Sequence, residues 1–201
     1  MRLFSMPSSG NSYKVRLLLA LTGQQASLVD VEYGDPALVA AKEAGHLPFG
    51  KAPVLELSDG TLLPESNAIL WHQALGTLFL PTGATEQTKA LSWMFWEQNQ
   101  HEGVIAVRAA ILCYDHRADQ RTPERLGALL AQGNVLLGIM ERHLQGRDWL
   151  VGERCSVADI CLYAYTHTAD TRGGYDLSGF PAVQAWLARV AALPGYVGLH
   201  D

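Results

Sequence analysis

The stretch Leu3-Phe4-Ser5-Met6-Pro7-Ser8-Ser9-Gly10-Asn11-Ser12-Tyr13-Lys14-Val15-Arg16 decides how the first third of the chain is read. Leu3-Phe4-Ser5 is a short strand candidate, and Pro7-Ser8-Ser9-Gly10 is a turn cluster that stops it. From Asn11 to Thr22 the pattern becomes helical, with Val15, Leu18 and Leu19 at i, i+3 and i+4, and Gly23 ends it. A strand that passes through a tight turn into a helix is the opening of an α/β unit.

The alternation continues outward from there. Ser27 to Glu32 alternates apolar and polar residues as a strand does, and Asp35-Pro36 opens a short helix to Ala44 with a cap and a first-turn proline. Pro53 to Leu57, the turn Ser58-Asp59-Gly60 and Thr61-Leu62-Leu63 form a hairpin, and a helix follows from Ser66 to Ala74. The order is βαβαββα, assigned to a first domain over residues 1–78. Phe79-Leu80-Pro81-Thr82-Gly83 is a linker by composition, and beyond it strand signals almost vanish. Helices are predicted over residues 86–114, 122–144, 156–168 and 181–192, so residues 85–201 are expected to form an all-α domain. The second of these helices carries an apolar stripe, and Ser156-Val157-Ala158-Asp159 has capping-box spacing at the start of the third.

Composition narrows the function. In 201 residues, 48% are apolar and 17% charged, enough for a real core and too apolar for a disordered chain. The net charge of −5 is shared by both halves, which speaks against nucleic acid or an anionic membrane as partner. The longest stretch without charge, residues 66–85, is broken by Asn67, His72, Gln73, Gly76 and Pro81, unlike a membrane span. Cys113, Cys155 and Cys161 make no C-x-x-C pair, and no His/Cys cluster has ligand spacing, so neither a disulfide framework nor a metal is expected. The N-terminus lacks the apolar run of a signal peptide, and the expected location is the cytoplasm.

Four segments carry a resemblance: residues 4–16, Pro48-Phe49-Gly50-Lys51-Ala52-Pro53-Val54-Leu55, Leu63-Pro64-Glu65-Ser66-Asn67-Ala68-Ile69, and Ser156 to Ile160. In this order and spacing the chain resembles the glutathione S-transferase superfamily over nearly its whole length, in a serine-type bacterial branch near the theta, zeta and beta groups. The resemblance implies a thioredoxin-like domain followed by a helical bundle, and a homodimer. It implies conjugation of the glutathione thiolate to small electrophiles, a detoxification chemistry with glutathione as cosubstrate. Glutathione-dependent reduction of peroxides or disulfides, isomerisation, and a non-catalytic binding module stand as alternatives.

Residue roles follow from the same resemblance. Ser9 stands where serine-type members keep the hydroxyl that activates the thiol, with Asn11 the second candidate. As plain chemistry, a serine before a helix is most often a cap. Yet a thiol of pKa ~8.5 is only a few per cent ionised at neutral pH, and a hydroxyl donor at a helix N-terminus favours the thiolate. The Ala52–Pro53 bond is expected to be cis, leaving Ala52 backbone groups to pair with an extended tripeptide. Ser66, opening a helix, and Glu65 would receive the γ-glutamyl carboxylate and ammonium, and Lys51 the glycyl carboxylate.

Departures from the family pattern are Leu47, where asparagine is common, and Asn11, where maleylacetoacetate isomerases have cysteine. Leu91-Ser92-Trp93-Met94-Phe95-Trp96 is apolar almost all round, which asks for a second burial surface and supports the dimer. His101, Arg108 and Tyr114 are candidates for contact with the second substrate, and spacing singles out none of them.

Overall fold

The computed structural model describes all residues from Met1 to Asp201. The chain divides into two units, Met1–Leu80 with Leu193–Asp201, and Pro81–Ala192.

The first unit contains β1 (Arg2–Ser5), α1 (Gly10–Thr22), β2 (Ser27–Asp30), α2 (Pro36–Glu43), β3 (Val54–Glu56), β4 (Leu62–Pro64) and α3 (Ser66–Ala74). The sheet order is β2-β1-β3-β4, with β1 parallel to β2 and antiparallel to β3, and β3 antiparallel to β4. This is the βαβαββα order read from the sequence, in the thioredoxin-like form that the resemblance implies. Alternation along β1 sends successive side chains to opposite faces. Leu3 packs with Val15, Leu19, Leu55 and Ile69 on the α1/α3 side, while Phe4 packs with Val31, Leu38, Leu47 and Val54 on the α2 side. Leu47 is thus a core residue of the loop before β3, 4% exposed, and packing stands there in place of polar contacts. The Asp35 side chain accepts from Ala37 N–H at 2.8 Å and starts α2, with Pro36 in its first turn.

The second unit is helical: α4 (Ala84–Trp96), α5 (Val107–Cys113), α6 (Pro123–Leu144), α7 (Val157–Thr166) and α8 (Pro181–Ala191). The single helix predicted over residues 86–114 is α4 and α5 joined by a ten-residue π-helical segment, Glu97–Ala106. Its wider turns aim Glu97, His101 and Ile105 inward, where Cys161 Sγ lies 3.3 Å from Glu97 Oε2 and His101 Nε2 lies 3.0 Å from Thr166 Oγ1. Along α6, Leu130 and Leu137 pack with Ile105, Ala169 and Tyr175. Gly133 is obligatory there, because the Tyr175 ring lies where any Cβ would stand.

The capping box at residue 156 forms, and it is the centre of a larger junction. Asp159, fully buried, accepts from Ser156 N–H (2.8 Å) and Ser156 Oγ (2.9 Å) through one oxygen. Through the other it accepts from Leu150 N–H and Trp186 Nε1, both at 2.9 Å. Burial pushes this carboxyl up from its ordinary range, and the four donors counter part of that cost.

The last nine residues, expected from the sequence to belong to the helical domain, group instead with the first unit. Tyr13 Oη donates to Val197 O at 2.8 Å and Arg16 Nη2 to Leu199 O at 2.7 Å. No helix is long and apolar enough to cross a membrane.

Asp159→Ala strands four donors at once in a dry junction between α7, α8 and the loop at Leu150. The expected loss is roughly 3 kcal/mol or more of unfolding free energy. Urea titration followed by tryptophan fluorescence measures it, and a loss below about 1 kcal/mol contradicts the structural weight given to this carboxylate.

Candidate active site

Sheet register collects the candidate residues at one end of the first unit. Phe4 pairs with Val54 and Val54 with Pro64, so the end of β1, the start of β3 and the end of β4 lie side by side. The turn after β1 carries Ser9, the residues before β3 are Lys51, Ala52 and Pro53, and the residues after β4 are Glu65 and Ser66. The N-termini of α1 and α3 arrive at the same end. Each presents first-turn N–H groups with no carbonyl partner inside its own helix, together with a partial positive charge.

The turn is tied down along its backbone. Ser9 N–H donates to Met6 O at 3.0 Å, Met6 N–H to Ser12 Oγ at 2.9 Å, and Ser8 N–H to Glu32 Oε2 at 3.1 Å. Ser9 is the N-cap residue of α1, with extended backbone (φ −88°, ψ 128°), and its carbonyl accepts the Tyr13 N–H. Its hydroxyl makes no capping hydrogen bond. The ordinary use of a serine at this position is therefore not the one made here.

Asn11 points elsewhere. Its Oδ1 accepts from Ser66 Oγ at 2.9 Å, joining the first turns of α1 and α3 across 55 residues of sequence. Ser66 is 4% exposed, and its hydroxyl, assigned from sequence to an incoming carboxylate, is engaged with Asn11. What α3 presents outward at this point is its first-turn backbone N–H groups.

Glu65 is the N-cap residue of α3, with an exposed side chain and φ +71°. It is the single non-glycine residue with positive φ, a conformation that costs about 1–3 kcal/mol and that functional sites tend to hold. The Ala52–Pro53 peptide is cis. Lys51 is exposed on the loop before it. Ser9, Asn11, Pro53, Glu65 and Ser66 thus come to one sheet end, two of them in direct contact.

Residues 3–73 match the family model of the glutathione S-transferase N-terminal domain, and residues 105–194 that of the C-terminal domain. A crystal structure of a glutathione S-transferase from Pseudomonas fluorescens superposes with a TM-score of 0.92 at 42% identity, covering 100% of this chain and 98% of that one. The chain belongs to the glutathione S-transferase family. Within it, a possible glutathione S-transferase from Rhodopseudomonas palustris superposes with a TM-score of 0.93 at 40% identity, again over 100% and 98% of the two chains. The disulfide-bond oxidoreductase YfcG of Escherichia coli is 28% identical, over 92% of this chain and 87% of its own.

Two basic side chains of α1 were missed as candidates. Lys14 is fully buried, with Nζ 3.4 Å from Asn67 Oδ1 on α3. Arg16 is half-buried behind the turn. The available signal was a pair of cations set among Tyr13, Val15, Leu17, Leu18 and Leu19, since a buried charge needs a task or a partner.

In the helical unit the three candidates for a second substrate separate. His101 is fully buried on Thr166. Arg108 spends its guanidinium on the Gly173 and Leu126 carbonyls, both at 2.6 Å, which is a structural tie. Tyr114 is half-buried, with its hydroxyl 3.4 Å from Arg172 Nη2, a residue the sequence reading did not single out.

Glu65→Gly separates strain from function. Glycine takes φ +71° without a Cβ penalty, and its extra unfolded-state entropy offsets only part of the gain. The expected result is unfolding free energy unchanged or raised by about 1 kcal/mol, read by urea titration. A clear loss of stability would show that the Glu65 side chain, and not its backbone, holds this corner.

Proposed function

We propose that this chain is a glutathione transferase in which Ser9 donates a hydrogen bond to the thiolate of bound glutathione. The thiolate then attacks the electrophilic carbon of a small second substrate, and the leaving group departs with the bonding pair. The observation that carries this reading is the Ser9 hydroxyl, placed at the N-terminus of α1 and not used as a cap. Hydroxyl and helix dipole both favour the charged form of the sulfur, and lowering its pKa by about 2 units makes thiolate the majority species near neutral pH.

Charge complementarity supports the rest of the site. At the α3 end, Glu65 suits the α-ammonium of the γ-glutamyl group, and the first-turn N–H groups of α3 suit its carboxylate. Lys51 suits the glycyl carboxylate, and the Ala52 backbone suits strand-like pairing with the tripeptide. Asn11, bonded to Ser66, belongs in this reading to the γ-glutamyl end, although its amide also lies near the turn that holds Ser9. The protein supplies position and electrostatics, and glutathione supplies the nucleophile. Free cysteines at 113, 155 and 161, and a cosubstrate needed in its thiol form, suit a cytoplasmic protein.

A second reading keeps glutathione and changes the reaction to disulfide reduction, in which two thiolates are oxidised as one substrate disulfide gains two electrons. The likeness to a relative named as a disulfide-bond oxidoreductase favours it. A panel of aryl halides, epoxides, hydroperoxides and small disulfides distinguishes the two. Failure to bind immobilised glutathione would sink both in favour of a non-catalytic module.

We also propose a homodimer. In the single chain Phe95 is 64% exposed on α4, an apolar side chain that a second copy would cover. Sedimentation at micromolar concentration is expected to give about twice the 21.9 kDa chain mass, and a single species at the chain mass contradicts it.

Ser9→Ala is expected to raise the pKa of enzyme-bound glutathione by about 1–2 pH units, since a hydrogen bond to a charged group is worth roughly 1.5–3 kcal/mol. Losing a donor to the ionised form moves an acid's pKa upward. Turnover near pH 7 should therefore fall on the order of tenfold and recover as pH rises. The fold should survive, because no capping hydrogen bond is removed. Asn11→Ala beside it is the control, and a profile that shifts for Asn11→Ala alone assigns the sulfur to the amide.

A further inference from the structure

The C-terminal segment, residues 193–201, runs along one face of α1. Tyr13 Oη donates to Val197 O at 2.8 Å and lies 3.3 Å from Tyr196 Oη, and Arg16 Nη2 donates to Leu199 O at 2.7 Å. Gly195, at φ +84°, sits so close to the helix that a Cβ there would stand 3.1 Å from Ala20 O. Tyr13, Arg16 and Ala20 are spaced i, i+3 and i+7, a single helical stripe.

The guanidinium that meets Leu199 also reaches the other way. Arg16 Nη1 donates to Ser5 Oγ at 2.8 Å, and Nη2 to Pro7 O at 3.2 Å. Ser5 is the last residue of β1, and Pro7 opens the turn that carries Ser9. The N–H groups of Met6, Ser8 and Ser9 are held by Ser12 Oγ of α1, by Glu32 and by Met6 O, while the Pro7 carbonyl is held by Arg16. One planar side chain therefore ties together the end of β1, the turn and the C-terminal segment, which the single ammonium of a lysine is poorly shaped to do.

We propose that Arg16, braced by residues 193–201, is a positioning residue for the thiolate site. It touches no substrate atom. It fixes the backbone of residues 7–9, and so the direction in which the Ser9 hydroxyl donates, where a displacement of about 1 Å costs a large part of the effect of a directed donor. This inference rests on the proposed role of Ser9. It adds that the donor's aim is set by an arginine seven residues on and by a segment more than 180 residues away.

Five variants of the full chain test it: Arg16→Met, Arg16→Lys, Gly195→Ala, Ser9→Ala, and Ser9→Ala combined with Arg16→Met. Two readouts are taken, amide hydrogen exchange at Ser8 and Ser9 and the pH–rate profile with glutathione. For Arg16→Met, exchange at these amides should quicken by about tenfold or more. The profile should move to higher pH by about 0.5–1 unit, with KM for glutathione within about twofold of wild type. Arg16→Lys should lie between Arg16→Met and wild type. Gly195→Ala, which strains the brace without touching the turn, should move both readouts in the same direction. In the Ser9→Ala background Arg16→Met should add no further pH shift, because the two act through one donor.

The proposal is overturned if folded Arg16→Met leaves both readouts at wild-type values, or if its pH shift adds in full to that of Ser9→Ala. Should Arg16→Met not fold, Gly195→Ala decides by the same two readouts. If Ser9→Ala alone leaves the profile in place, the role of Ser9 is what fails. Exchange at the turn amides then still shows whether Arg16 holds the turn.

Discussion

Two helix N-termini delivered to one end of a four-stranded sheet are the arrangement on which the candidate site depends. The delivery is a matter of register. Because β1 and β3 run antiparallel with Phe4 opposite Val54, and β3 and β4 with Val54 opposite Pro64, the chain leaves β1 and β4 at the end where it enters β3. Each exit turns directly into a helix, so α1 and α3 begin side by side. A slip of one residue in either pairing would turn the Leu3/Leu55 and Phe4/Val54 sets to the wrong faces, and burial on both sides of the sheet prevents it.

Within that frame, the polar residues at the sheet end hold one another in place. The Asn11–Ser66 hydrogen bond couples the two helix starts, and beside it Lys14, one turn on along α1, meets Asn67, the next residue of α3. Glu65 keeps a positive φ between β4 and α3, a local cost of the kind that the surrounding structure must over-determine. Here the surroundings are the β3–β4 pairing before it and the anchored Ser66 after it. The proposed binding of a charged tripeptide draws on the same features, since helix ends, an exposed carboxylate and an exposed lysine supply charge without large rearrangement.

The helical unit is organised by its own buried polar junctions. Asp159 gathers donors from α7, α8 and the loop at Leu150, and Glu97 and His101 turn inward from the π-helical segment. Low dielectric makes such groups costly when unsatisfied, so each fixes the elements that satisfy it. Arg108 belongs to the same class: a cation that looks, in sequence, like a substrate contact is bound to two backbone carbonyls.

Much of this was legible in the chain itself. Periodicity placed every strand and helix of the first unit within about two residues, the turn at residues 7–10 announced itself by composition, and Ser156 with Asp159 spelled out a cap. These are short-range properties, set by side chains a few residues apart, and so they survive in one dimension. The tertiary structure alone decided that Asn11 faces Ser66, that the Ser9 hydroxyl makes no capping bond, and that residues 193–201 return to α1. It likewise decided that a helix of uniform pattern takes π turns at Glu97. Each of these depends on groups brought together from distant parts of the chain, or on local geometry fitted to such packing, and neither periodicity nor propensity records that.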